Sequence, residues 1–158
     1  RKCRDVRPDD PKCDEHDLYN LTHIARVAFK AGEMDKASTY ANQILAMVAG
    51  HEPDGWYGQG THKAHTVLGR IALRKGDVDS AGRHLLAAGD IKGGITLDSF
   101  GPSMVLAKEL LEVGKQNVVM VYLAQCKKFW PRGEKQLSEW INDIRRGDTP
   151  RFGPNLNY

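Results

Sequence analysis

The sequence predicts an all-α fold built from stacked helix–turn–helix units. Three observations carry that expectation. Gly32, Gly76 and Gly114 each sit between two amphipathic helical patterns. The stretches around these glycines superimpose on one another, the mark of a helical repeat. No period-2 alternation of apolar and polar residues, which would indicate strands, occurs along the chain.

Residues 1–14 read as an irregular arm, with Pro8 and Pro11 set against helix. From Leu18 the pattern turns helical, and Leu21, Ile24, Ala25 and Ala28 follow the i, i+3, i+4, i+7 spacing of a buried stripe. That stripe stops at Ala31-Gly32, with Lys30 placed at the negative end of the helix dipole. A second helix carries Ala37, Tyr40, Ala41, Ile44, Leu45 and Val48.

The next pair has Ala64, Val67, Leu68, Ile71 and Ala72, then Gly76 as its turn. Asp77 is suited to cap the partner helix, whose stripe is Val78, Ala81, Leu85 and Ala88. In the third pair Ser103, Leu106, Ala107, Leu110 and Leu111 precede Gly114. Its partner carries Val119, Tyr122, Leu123, Cys126, Phe129 and Trp130 until Pro131 ends it. A seventh helix, about Glu134 to Arg146, gathers Leu137, Trp140, Ile141 and Ile144 on one face and charge on the other. It suits a cap over the last apolar face of a stack. The helical domain is thus expected over 15–147, and residues 148–158, rich in Pro and Gly, read as an irregular tail.

Composition narrows the function classes. The 158 residues suffice for one domain with a core, and 41% hydrophobic with 27% charged residues argues against disorder. A net charge of +3 is too small to point to nucleic acid, and no nucleic-acid partner is expected. No run of 18 apolar residues exists, so no membrane span is expected. The compartment is left open between a cytoplasmic one, which is slightly favoured, and a periplasmic or secreted one if Cys3 and Cys13 pair. Those two cysteines flank RDVRPDDPK and fit either a small disulfide loop or two free thiols; Cys126 reads as a small core residue.

The hairpins resemble tetratricopeptide repeats. Ala25, Gly69 and Ala107 fill the small position of the first helix, and Ala37, Ala81 and Val119 that of the second. Ile44, Ala88 and Cys126 stand at the closing small position, with Pro131 at the terminal one. The segment from His65 onward (HTVLGRIALRKGD, HLLAAG, SFGPSM, CKKFW, FGPNLNY) is also similar to a group of bacterial repeat proteins without an assigned activity. The resemblance implies a right-handed solenoid of three such hairpins plus the capping helix. The turn glycines lie 44 and then 38 residues apart, against the family's 34. The excess falls in GHEPDGWYGQG and GDIKGGITLDSFG, which stacking would bring to one edge.

The resemblance also implies a concave groove lined by the first helices. Its positions are Tyr19, Thr22, Arg26, Phe29 and Lys30, then Lys63, Thr66, Arg70, Leu73 and Arg74. The third hairpin adds Gly101, Met104, Lys108, Leu111 and Glu112. Arg26, Lys30, Arg70, Arg74 and Lys108 on one face suit an acidic or C-terminal peptide segment, since guanidinium forks bind carboxylates bidentately. Phe29 and Leu73 would pack its apolar side chains. A non-catalytic interaction module with a protein or peptide partner is therefore the primary expectation.

The alternative is a small-ligand or metal site at the loop edge, made by Trp56, Tyr57, His62, His65 and Phe100. The i, i+3 spacing of His62 and His65 can place both imidazoles on one ion, but no HExxH glutamate accompanies them. Gly58-Gln59-Gly60-Thr61 lacks the lysine and preceding strand of a phosphate loop. No GxSxG elbow or other nucleophile–base pairing stands out, so no catalytic residue, metal or cofactor is expected.

Overall fold

The computed structural model describes residues 11–157, and every described element is helical. Its α-helices are α1 (Pro11–Lys30), α2 (Met34–Val48), α3 (Gly55–Arg74), α4 (Val78–Gly89), α5 (Leu97–Phe100), α6 (Val105–Glu112), α7 (Gln116–Phe129) and α8 (Glu134–Arg145). Helix α1 is described from Pro11 onward, so residues 11–14, read as the end of the arm, are helical. Proline's fixed φ of about −65° is itself a helical value, so Pro11 does not prevent the helix that follows it. The Cys3–Cys13 pairing lies outside the described residues.

Three turns share one geometry. Gly32, Gly76 and Gly114 have φ of 80°, 79° and 81°. In each, the residue after the glycine donates its N–H to the carbonyl five residues back: Glu33 to Ala28, Asp77 to Ala72 and Lys115 to Leu110, all at 2.9 Å. The glycine itself donates to Phe29, Leu73 or Leu111 at 3.0 Å. These paired bonds satisfy carbonyls that the helix ends would leave bare, and only glycine enters the left-handed region without a Cβ penalty. Asp77 caps α4 by accepting the Ser80 N–H at 3.0 Å.

The helices pack on their neighbours: α1 on α2 and α3, α2 on α3, α3 on α4 and α6, α4 on α6 and α7, α7 on α8. Small side chains set the close approaches. Ala37, Ala41, Ala81, Ala88 and Ala107 are fully buried. A Cβ on Gly69 would stand 2.4 Å from Leu106 Cδ2, so this glycine is what lets α6 lie against α3. Two apolar clusters result, one around Leu18, Phe29, Ile44 and Ile71, the other around Leu85, Leu106, Tyr122 and Trp140.

Between those clusters the seam along α3 is polar and hydrogen-bonded. The two inserted loops meet beside it: Lys92 N–H donates to Pro53 O at 2.7 Å, and Lys92 pairs with Glu52. Gln59 Nε2 donates to Thr96 Oγ1 at 2.7 Å, tying the second loop to α3.

The tail, irregular apart from one short 3-10 turn, is docked on the helices. Phe152 is buried and meets the Trp140 ring edge-on at 5.0 Å, while Trp140 Nε1 donates to Arg151 O at 3.1 Å. Asn155, also buried, donates to Phe100 O at 3.2 Å and Pro102 O at 3.0 Å and accepts from Met104 N. One 3-10 turn, Gly153–Leu156, lies within it. Its Pro and Gly content did exclude an α-helix, but an asparagine that satisfies three backbone groups anchors an irregular segment firmly.

Candidate functional site

A cavity of about 140 Å³ opens between α1, α3 and the loop that precedes α6. Helix α1 contributes Tyr19, Thr22, His23, Arg26 and Phe29, one face at i, i+3, i+7 spacing. Helix α3 contributes Gln59, His62, Lys63, Thr66, Val67 and Arg70 in the same phase. Thr96, Leu97, Gly101 and Ser103 close one end.

Its floor is a neutral buried network. Ser103 N–H donates to His62 Nε2 at 3.1 Å, which places the ring proton on Nδ1. Nδ1 then donates to Ala88 O at 3.0 Å. Tyr122 Oη donates to Ser103 O at 2.9 Å, extending the network into the second cluster. Burial holds His62 down to about 4, so it stays uncharged at neutral pH.

The walls hold three cationic side chains and no carboxylate. Arg70 is neutralised from behind, because Nε donates to both Glu109 oxygens at 3.0 Å and Nη2 to Oε1 at 2.7 Å. Its guanidinium also covers the Phe29 ring at 4.4 Å. Arg26 and Lys63 are different. Neither has an ion pair among the described residues, and the only side-chain hydrogen bond of Arg26 there is Nη2 to His23 Nδ1 at 3.5 Å. Burial, reinforced by Arg26, holds the Lys63 ammonium below the usual lysine range.

Of the expected groove residues, Tyr19, Thr22, Arg26, Phe29, Lys63, Thr66, Arg70 and Gly101 line this cavity, while Lys30, Leu73, Arg74 and Lys108 stand outside its walls. Leu73 is partly buried and packs against the second apolar cluster. Arg74 lies over Phe29 at 5.1 Å, and Lys108 pairs with Glu112 at 3.8 Å. Phe29 is buried beneath its two guanidiniums. Met104 is wholly buried, and its N–H donates to Asn155 O of the docked tail at 2.9 Å.

The five loop-edge residues are not gathered together. Only His62 reaches the cavity, and both its ring nitrogens are engaged. His65 turns to α4, its Nδ1 2.9 Å from His84 Nδ1. Trp56 meets Tyr19 edge-on at 6.1 Å, Tyr57 stacks on His51 at 3.9 Å, and Phe100 is 62% exposed. The Gly58-Gln59-Gly60 run serves packing: a Cβ on Gly58 would stand 1.9 Å from Gly93 O.

Lys63, one of the expected groove positions, lines the cavity, but nothing near it in sequence shows that it is left without a counter-ion. Leu97 had no local signal, and Ser103, read as part of the third hairpin's helical stripe, lies in the loop before α6, which is positioned by α3 and the tail. Compared with protein-family models, curated proteins and solved structures, the chain matches none.

Proposed function

We propose that the chain is a tetratricopeptide-like right-handed repeat module, with α8 as its cap, that docks an acidic protein or peptide segment in the groove between α1 and α3. The nearest-neighbour packing of the hairpins and the repeated glycine turn support the repeat reading. One observation carries the binding reading: Arg26 and Lys63 face one cavity without a carboxylate to neutralise them. Two unpaired cations on a partly desolvated wall repel each other, and an arriving anion relieves that repulsion.

The module is read as non-catalytic. His62 has both nitrogens engaged, and the Cys126 thiol is buried in the second cluster, where burial pushes its pKa up. A buried, protonated thiol is a poor nucleophile.

The test uses a fluorescein-labelled Glu/Ala decapeptide and fluorescence anisotropy. Replacing Arg26 and Lys63 together by Gln is expected to weaken binding by at least ~10-fold, about 1.4 kcal/mol or more, as expected for charge-assisted hydrogen bonds. The control removes two cations elsewhere, at the exposed Lys128 and Lys135. Equal losses in both double variants would reduce the effect to net charge and refute the groove reading.

A further inference from the structure

We infer that the Arg26–Lys63 end of the groove is a phosphoryl site, which takes a phosphomonoester on the docked segment in preference to a carboxylate. This deepens the groove reading and rests on it.

Charge is the first argument. The Arg70 charge is met by Glu109, so the uncompensated cations in the walls are Arg26 and Lys63. A carboxylate brings one negative charge and leaves one partly desolvated cation unmatched. A phosphomonoester brings about 1.5 to 2 near neutral pH.

Donor geometry is the second. The Thr22 and Thr66 hydroxyls donate to their own helix, to Tyr19 O at 2.7 Å and His62 O at 2.8 Å, and Gln59 Nε2 donates to Thr96. The charged donors left for an anion are the guanidinium of Arg26 and the ammonium of Lys63, and the Thr96 and Ser103 hydroxyls, which accept from Gln59 Nε2 and Val105 N, keep a proton to add to them. The three terminal oxygens of a phosphoryl group can engage both cations at once, the guanidinium through two of them.

Size and polarity are the third. About 140 Å³ receives the end of one side chain, not a length of backbone. Tyr19, about half exposed at the rim, with Val67 and Leu97 inside, supplies apolar contact for the methylenes behind a phosphoryl group. The other titratable groups facing the site are Tyr19, His23, His62 and Arg70, with Glu109 paired to Arg70 from behind, so no unpaired carboxylate faces the anion.

The experiment compares two acidic decapeptides that differ only at the central residue, phosphoserine or glutamate, by titration calorimetry at pH 7.5 and 5. The phosphoserine peptide is expected to bind at least ~10-fold more tightly at pH 7.5. That advantage should shrink several-fold at pH 5, where the second phosphate proton returns with a pKa of about 6. Arg26→Gln and Lys63→Gln should each bring the two peptides to near parity, whereas Lys63→Arg should keep the preference. Thermal melts of each variant establish that it is folded.

Equal affinities in the wild-type protein would overturn the phosphoryl inference and leave the groove reading standing. Binding of neither peptide would overturn both. Inorganic phosphate alone is the probe for a free ligand: displacement of the phosphopeptide only at millimolar phosphate supports a docked segment, and saturation at micromolar phosphate would overturn it.

Discussion

Arg70 on α3 and Glu109 on α6 form a bidentate pair across 39 residues of sequence, with contacts of 2.7–3.0 Å. Both side chains are mostly shielded from water, at 19% and 26% exposure. The pair joins the two apolar clusters at the cavity wall and turns one of its cations into structure. Removing one partner leaves the other charged and partly desolvated, the costly case. Arg70→Met is expected to destabilise by about 2 kcal/mol, and Glu109→Leu similarly, while the double variant loses less than their sum. Urea denaturation of all four proteins measures the coupling; strictly additive losses would mean the pair contributes nothing as a pair.

Acid should weaken this fold through its seam. His62 is held down to about 4 by burial, against an ordinary 6.5. The unfolded chain therefore binds the proton more readily, and stability rises with pH between those values. The stabilisation is fully present above about pH 6.5 and is lost progressively as pH falls toward 4, on the order of ~3 kcal/mol from this one residue. His65, also held down to about 4 by burial and by His84, acts in the same direction. The urea midpoint should fall steeply from pH 6.5 to 4.5, and less steeply in His62→Gln. An identical slope in the variant would exclude His62 as a source.

Two kinds of glycine should respond differently to alanine. At Gly76 and Gly114 a Cβ meets nothing within 4 Å, so only the positive φ resists substitution. Each alanine is expected to cost about 1–2 kcal/mol, and asparagine less, because it tolerates the left-handed region better. At Gly58 the Cβ would strike the carbonyl of Gly93, which cannot rotate aside as a side-chain end can. Gly58→Ala should cost more than either turn substitution and also weaken peptide binding, because the displaced loop carries Thr96 and Leu97 into the cavity wall. Calorimetric melting with peptide titration reads both effects; unimpaired binding by Gly58→Ala would uncouple the loop from the site.

Asn155 is expected to act at a distance on the same wall. Its amide holds the carbonyls of Phe100 and Pro102, adjacent to Gly101 and Ser103 in the cavity. Asn155→Ala strands those buried acceptors and should cost about 2 kcal/mol. Hydrogen exchange should show faster opening of the segment before α6, with α1 and α2 unchanged. Uniform acceleration across the chain, or none, would contradict a local role for the tail.

Helix phase, the three glycine turns, the Asp77 cap and the stop before Pro131 were legible from the residues, because each depends on neighbours within a few positions. The same phase placed Arg26, Phe29 and Arg70 on one side. Which of the cations remain unpaired was not legible: Arg70 is neutralised by a glutamate 39 residues away, while Lys63 is left without a counter-ion among the described residues. Nor was the tail, whose Pro and Gly content forbids a regular helix but says nothing about Phe152 and Asn155 finding partners. Sequence by itself determined the helices, since a hydrophobic stripe and a left-handed glycine are local matters. Only the packed chain decided the charge, tautomer and accessibility of the cavity groups, because those depend on atoms that come together when distant segments exclude water between them.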